Sequence, residues 1–368
     1  MKIAFNEASL KPQHYKKDLM KAFSSVIESG IFLHGSQNAL LLKKLKRYLK
    51  NPFVILTSSG HNALQSALTS LFLKPNEEVI FPVNSYPTAF PIALSQGKPV
   101  PVDVDQNGLI DPQKVARKIN SKTRAIVAVH LYGLSVDINA LKKIIGQRKI
   151  VLVEDCAQAF GTKYNERHVG SFGDFSCFSF YPTKNLATLG DGGALYTKKK
   201  KQYDFFRRLI SYGEKLQYQS EFVAGHSRLP ELQAAVLNVY LKSLDQEIRR
   251  KRVIREEYFH YIRQFQLASL LRPLFHSNNS SPNLHLFVVE VKKRDALREY
   301  LRKKGVGTSV HYPLPIHLVP AFSYLGYRKG SFPVAERLSR NILSLPFHSY
   351  ITKKHIRYII NTIREFYA

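Results

Sequence analysis

Short apolar runs alternate with helical patterns through the first two thirds of the chain. Runs at 53–59, 77–83, 123–133, 149–155 and 175–181 read as strands, and 60–73, 85–97 and 135–147 as helices. The strand runs are continuous and rich in Val, Ile and Phe rather than alternating, as expected of a parallel sheet covered on both faces. This predicts an α/β domain in which helices flank a mostly parallel sheet. Beyond it, 229–265 reads as one long helix, 283–291 and 307–312 as strands, and 294–305 and 352–367 as helices, the last with Thr352 as N-cap. The expected division is a large domain over 1–249 and a small α+β domain over 250–368.

A chain of 368 residues that is 44% hydrophobic can bury a substantial core in two domains. Its 55 Lys and Arg against 27 Asp and Glu give a net charge of +28, which favours anionic ligands. The basic residues are dispersed, with short clusters at 198–201 and 249–252 that read as solvated surface, and no nucleic-acid-binding signature accompanies them. Specific nucleic-acid binding is therefore not expected. Cys156 and Cys177 lie in apolar segments and read as small core residues, not as nucleophiles or a disulfide framework; no metal site is expected. The N-terminus lacks the apolar stretch of a signal peptide, and no run approaches the length of a membrane span. A cytoplasmic location is the expectation.

Four local features carry candidate chemistry. Gly60, His61 and Asn62 follow a strand and open a helix, a place where free backbone N–H groups can hold phosphate or where a turn simply connects two elements. Glu154 and Asp155 end a strand and face opposite sides of the sheet, so one of them can reach the ligand crevice at the strands' carboxyl ends; helix capping by Asp155 is the plainer alternative. Lys184 stands between an apolar strand and the glycine turn 190–193, with no charged residue within six positions. A lysine kept from water becomes a neutral nucleophile; alone, it also reads as a side chain reaching for solvent. Histidines beside aromatic residues at 129–133 and 309–317 are the fourth feature. A phosphate turn, a strand-end carboxylate and a sheltered lysine together are what a pyridoxal phosphate site requires.

The segments EDCAQAFGT (154–162), GSFGDFSCFSFYPTKNLATLGDGGAL (170–195) and HSRLPELQAA (226–235), supported by VHLYG and HYPLPIH, carry a wider likeness. Through them the chain resembles the pyridoxal phosphate-dependent sugar aminotransferases of the DegT/StrS group, with the aspartate aminotransferase fold. The resemblance implies that Lys184 forms the Schiff base and acts as the catalytic acid/base, and that Asp155 holds the proton of the pyridinium nitrogen. It implies that Gln158 lies near the ring oxygen and Tyr86 stacks on the ring. Gly60, His61, Asn62 and Ser179 would hold the phosphate, with His226 reaching the site of a neighbouring subunit in a homodimer. Glutamate and a nucleotide-linked keto-sugar are the implied substrates, and Arg228, His311 and His317 the candidate substrate contacts, for synthesis of surface glycans. His61, His226 and Asp191 stand where the group usually has Thr, Asn and Glu. A pyridoxal phosphate enzyme of the same fold with other chemistry, a non-catalytic regulator that keeps the fold, and an anion or nucleic-acid binder suggested only by charge are the rival readings.

Overall fold

A computed structural model describes residues 1–275 and 280–368. Its centre is a seven-stranded sheet of β1 (Val54–Thr57), β2 (Glu78–Pro82), β3 (Lys98–Val102), β4 (Thr123–Val129), β5 (Val151–Asp155), β6 (Phe175–Ser179) and β7 (Gly193–Thr197). The strand order is β1-β7-β6-β5-β4-β2-β3. Strands β3, β2, β4, β5 and β6 pair in parallel, and β7 runs against both of its neighbours β6 and β1. Val79, Ile80, Phe81, Ala125, Ile126, Val127 and Val153 lose all contact with solvent, which explains why the run of apolar residues in each strand is unbroken.

Strand β3 was not expected, because Pro99 and Pro101 interrupt its sequence. It pairs with β2 alone and so forms the sheet's edge, where a proline's missing N–H can be tolerated. The predicted helix over 229–265 is two helices, Glu231–Tyr240 and Leu244–Gln264. Ser243 marks the break: its hydroxyl bonds the Tyr240 carbonyl and the Glu247 carboxylate, a local alternative to continued helix. The segment 307–312 is not a strand; only Ser309 makes a bridge, to Ser344.

A second, antiparallel sheet joins β8 (Leu271–Pro273), β9 (Phe287–Val291) and β10 (Ile342–Leu345) in that order. A separate apolar core forms on it from Tyr258, Phe287, Val289, Leu301, Leu343 and Ile360, among others. The terminal helix Lys353–Tyr367 closes this core, and Thr352 caps it by accepting from the His355 amide. The first residues of the chain return here: Ile3 exchanges backbone hydrogen bonds with Gly305 and Gly307 and is buried in the second core. Leu244 and Ile248 of the helix Leu244–Gln264 belong to the first core and Ile254 and Tyr258 to the second, so this helix joins the two.

Candidate active site

The parallel strands, and β1 with them, end on one side of the sheet, where α/β ligands bind. Four strand ends, those of β1, β2, β5 and β6, deliver predicted residues there. After β1, Ser59 caps the helix Gly60–Thr69 by accepting from the Asn62 amide at 3.1 Å. Asn62 Nδ2 donates to Ser58 Oγ at 2.6 Å, and Ser58 is held by the Ser227 hydroxyl. The Gly60 and His61 amides have no protein acceptor among the described residues, as at any unfilled helix start. A Cβ on Gly60 would lie 2.6 Å from Ser179 Cβ, so only glycine lets this turn approach the end of β6. The Ser179 hydroxyl stands beside the turn and, among the described residues, accepts only a long, 3.4 Å bond from the Tyr181 amide.

Strand β5 separates its two carboxylates as the alternation predicts. Glu154 turns into the protein and is fully buried. It accepts from the Gly170, Phe172 and Gly173 amides and from His130 Nε2. These donors hold its carboxyl below the usual range against the opposing effect of burial. Its oxygens are thereby occupied, so the cluster of His130, Glu154 and Cys156 works as a clamp on the 170–173 turn rather than as a cation site. Asp155 faces the other way, where Thr88 Oγ1 donates to it at 2.9 Å and Ser85 shares a 2.7 Å hydroxyl contact with Thr88. Its second oxygen accepts from the Ala157 amide, so local turn capping and an open face coexist in this carboxylate.

Lys184 lies in a loop tied to itself by bonds from Thr188 to the Phe180 carbonyl and from Lys184 N to the Tyr181 carbonyl. No hydrogen-bond partner meets its Nζ among the described residues. Burial pushes the amine down to about 8, and the charge of Asp155 opposes part of that shift. Gln158 Oε1 accepts from the Tyr132 amide at 2.7 Å, and its Nε2 donates to Tyr312 Oη at 3.3 Å. Tyr86 is 41% exposed, and its ring centroid lies 6.2 Å from that of Tyr312.

The candidate substrate contacts fare differently. His311 bonds Ser344 through Nδ1, and its carbonyl accepts from Tyr132 Oη. Burial, and after it the neighbouring Lys184, lower the ring to about 4, so His311 is neutral at pH 7 and offers no cation for a diphosphate. His317 is buried against Phe332 and bonded to Glu336 at 3.0 Å, a structural pair rather than a substrate contact. Arg228 lies over the Tyr212 ring in a groove with His34, Tyr203 and Arg207, and makes no contact with Lys184. His226 is exposed and packs on the same Tyr212 ring. Thr88, Tyr132, His285 and Tyr312 were missed. Tyr132 and Tyr312 stood within the quoted histidine motifs, and Thr88 two positions after Tyr86, so proximity to those motifs was the one available signal.

The donor set matches a phosphorylated pyridine aldehyde. Free amides and a hydroxyl suit its phosphate, a carboxylate suits a protonated ring nitrogen, and a neutral amine suits its aldehyde. A parallel α/β sheet with this set at its carboxyl edge defines a pyridoxal phosphate-dependent transferase. The chain belongs to the DegT/DnrJ/EryC1/StrS aminotransferase family, which residues 13–364 match. It is 36% identical to the erythromycin biosynthesis sensory transduction protein EryC1 of Saccharopolyspora erythraea, covering 99% of both chains. It is 33% identical to the dTDP-3-amino-3,4,6-trideoxy-alpha-D-glucose transaminase of Streptomyces venezuelae, over 99% of this chain and 96% of that one. Among solved structures it is similar to S. venezuelae DesV in complex with a ketimine intermediate, with a TM-score of 0.94, 33% identity, and 99% and 98% of the two chains covered. The protein is thus an aminotransferase with pyridoxal 5′-phosphate as its cofactor.

Proposed function

We propose that this aminotransferase moves the amino group of glutamate to a keto-sugar carried on a nucleoside diphosphate, in the synthesis of surface glycans. The observation that carries this reading is Lys184: a lysine amine lowered to about 8 in a site that also holds Asp155 and a phosphate-binding turn. In this reading Lys184 Nζ would hold the cofactor through its aldehyde and would serve as the base for the proton on the donor's Cα. Bound pyridoxal phosphate supplies the electron sink that makes that Cα acidic. Asp155 holds the ring-nitrogen proton and is itself oriented by Thr88. Gln158, held by the Tyr132 amide, would meet the ring oxygen, and Tyr86 would cover one face of the ring. Gly60, His61, Asn62 and Ser179 take the phosphate. His311 serves as a neutral hydrogen-bonding group toward the sugar.

The proposal includes a cytoplasmic homodimer with shared sites. Exposed Ile31, Phe32, Leu33, Leu189 and Leu232 support it. They gather around the start of the helix Glu231–Tyr240, where the Glu231 amide bonds the Phe32 carbonyl and the Leu189 amide bonds Gln233. An apolar patch of this kind suits burial against a second copy. The test is the visible spectrum of the protein with cofactor, before and after glutamate, followed by amine formation from a panel of nucleotide keto-sugars. Bleaching by glutamate and transfer to a nucleotide sugar are expected. A band that ignores glutamate would overturn the reading and favour the regulatory one suggested by the name of the S. erythraea relative.

A further inference from the structure

The basic cluster 249–252 is not wholly solvated. Lys251 is 4% exposed, and its Nζ lies 3.2 Å from Asn185 Oδ1 and 3.6 Å from Glu7 Oε1. A second buried lysine, Lys11, lies 2.6 Å from Glu247 Oε2 and donates to the Asn185 carbonyl at 3.3 Å. Asn185 is the residue after Lys184. Its Oδ1 also meets His285 Nδ1 at 3.3 Å, and its Nδ2 donates to the Asn283 carbonyl at 2.9 Å. Glu7 is buried too and accepts from the Ser349 amide. The N-terminal arm, the helix Leu244–Gln264 and the 283–285 loop therefore converge on one asparagine.

Buried ion pairs of this kind are poor stabilisers, since well-packed apolar side chains do as well or better, while cutting one partner leaves an uncompensated charge. Their value here is directional, because ammonium groups fix both the side chain and the carbonyl of Asn185. A neighbouring cavity of about 280 Å³, lined by Phe5, Glu7, Thr183, Lys251, His285 and His311, leaves room for the loop to shift once that hold is cut.

We propose that Lys251, Glu7 and Lys11 are positioning residues, which hold the Lys184 loop through Asn185 so that Lys184 Nζ meets the cofactor's aldehyde. The proposal rests on Lys184 being the cofactor lysine. Small displacements of a reacting group are costly, up to about 100-fold per ångström.

The test is the rate at which cofactor-free protein captures added pyridoxal phosphate, read by growth of the visible band and by mass after borohydride reduction, with the melting temperature measured alongside. Lys251→Met is expected to melt lower and to capture the cofactor about tenfold more slowly. The double variant Glu7→Gln with Lys251→Met carries no unpaired buried charge; it is expected to regain melting temperature but not capture rate. Wild-type capture by the double variant would overturn the proposal and leave the cluster a structural device. If the double variant does not fold, Asn185→Ala decides, since it keeps both ion pairs and the Lys11 bond to the main-chain carbonyl and removes the side chain through which Lys251 holds the loop. Capture slowed about tenfold supports the proposal, and unchanged capture overturns it. Lys184→Ala separates this from the underlying reading: a trapped adduct on that variant would refute Lys184 itself, whatever the cluster does.

Discussion

At the scale of the residue, the site depends on keeping water from one amine. At pH 7 an amine of pKa about 8 is neutral about a tenth of the time, against about one part in 3,000 for an ordinary lysine. Cofactor capture by the free protein should therefore rise with pH up to about 8 and then level; a rise continuing toward pH 10 would show an ordinary lysine. The same shift has a cost. Because the folded value is lowered, the penalty is complete below about pH 8 and disappears as pH climbs to the unfolded value near 10.5. Lys184→Met should be inactive yet more stable than the wild type at pH 7, by about 1 to 3 kcal/mol, with the gap closing by pH 10.5. Melting curves of the two cofactor-free proteins at both pH values check this. Asp155 has the complementary task. Asp155→Asn keeps the shape and the Thr88 contact but loses the charge that, in the proposed reading, would retain the ring-nitrogen proton. It should bind cofactor and lose about 100-fold or more in transamination rate.

At the scale of the element, one strand end serves two purposes. The adjacent carboxylates of β5 face opposite ways, so Asp155 opens to the site while Glu154 gathers three amides of the 170–173 turn that precedes β6. Glu154→Gln puts an amide N–H₂ against those donors, and a loss of about 3 kcal/mol is expected in denaturant unfolding. The lowered carboxyl value sets the sign with pH: the stabilisation is full above the unfolded pKa near 4.5 and fades as pH falls through the lower folded value. The separation of Glu154 and Asp155 was legible because alternation in a strand is local. So were the Gly60 turn, the isolation of Lys184 and the Thr352 cap. What was illegible depends on distant partners. Pro99 and Pro101 hid β3, whose place at the sheet edge is a property of the whole sheet. A continuous helical period hid the break at Ser243. Lys251 sits inside RRKR, and only the packing of the N-terminal arm against the helix Leu244–Gln264 takes it from the surface to the Lys184 loop. His317 looked like a substrate contact until Glu336, 19 residues on, was placed beside it.

At the scale of the whole molecule, the apolar patch of Ile31, Phe32, Leu33, Leu189 and Leu232 bears on how many sites are complete in one chain. Leu189 closes the same loop that carries Lys184, and the patch lies at the helix introduced by His226, Ser227 and Arg228. In the proposed dimer with shared sites, the exposed His226 of one chain would serve the Lys184 site of the other. A complementation experiment tests this. Lys184→Ala and His226→Ala proteins are each expected to be weak or inactive alone. Mixed in equal amounts and allowed to exchange subunits, half of the dimers are hybrids. Each hybrid has one site with both residues intact and one with neither, so about a quarter of wild-type activity should return if sites are shared. Sites complete within one chain would show no recovery beyond the average of the two parents, because no exchange could bring an intact Lys184 and an intact His226 into the same chain. The net charge of +28 does not bear on that outcome, because it is the same in hybrid and parent dimers to within the substituted lysine, so the recovery reads the geometry of the interface and not the attraction of an anionic substrate.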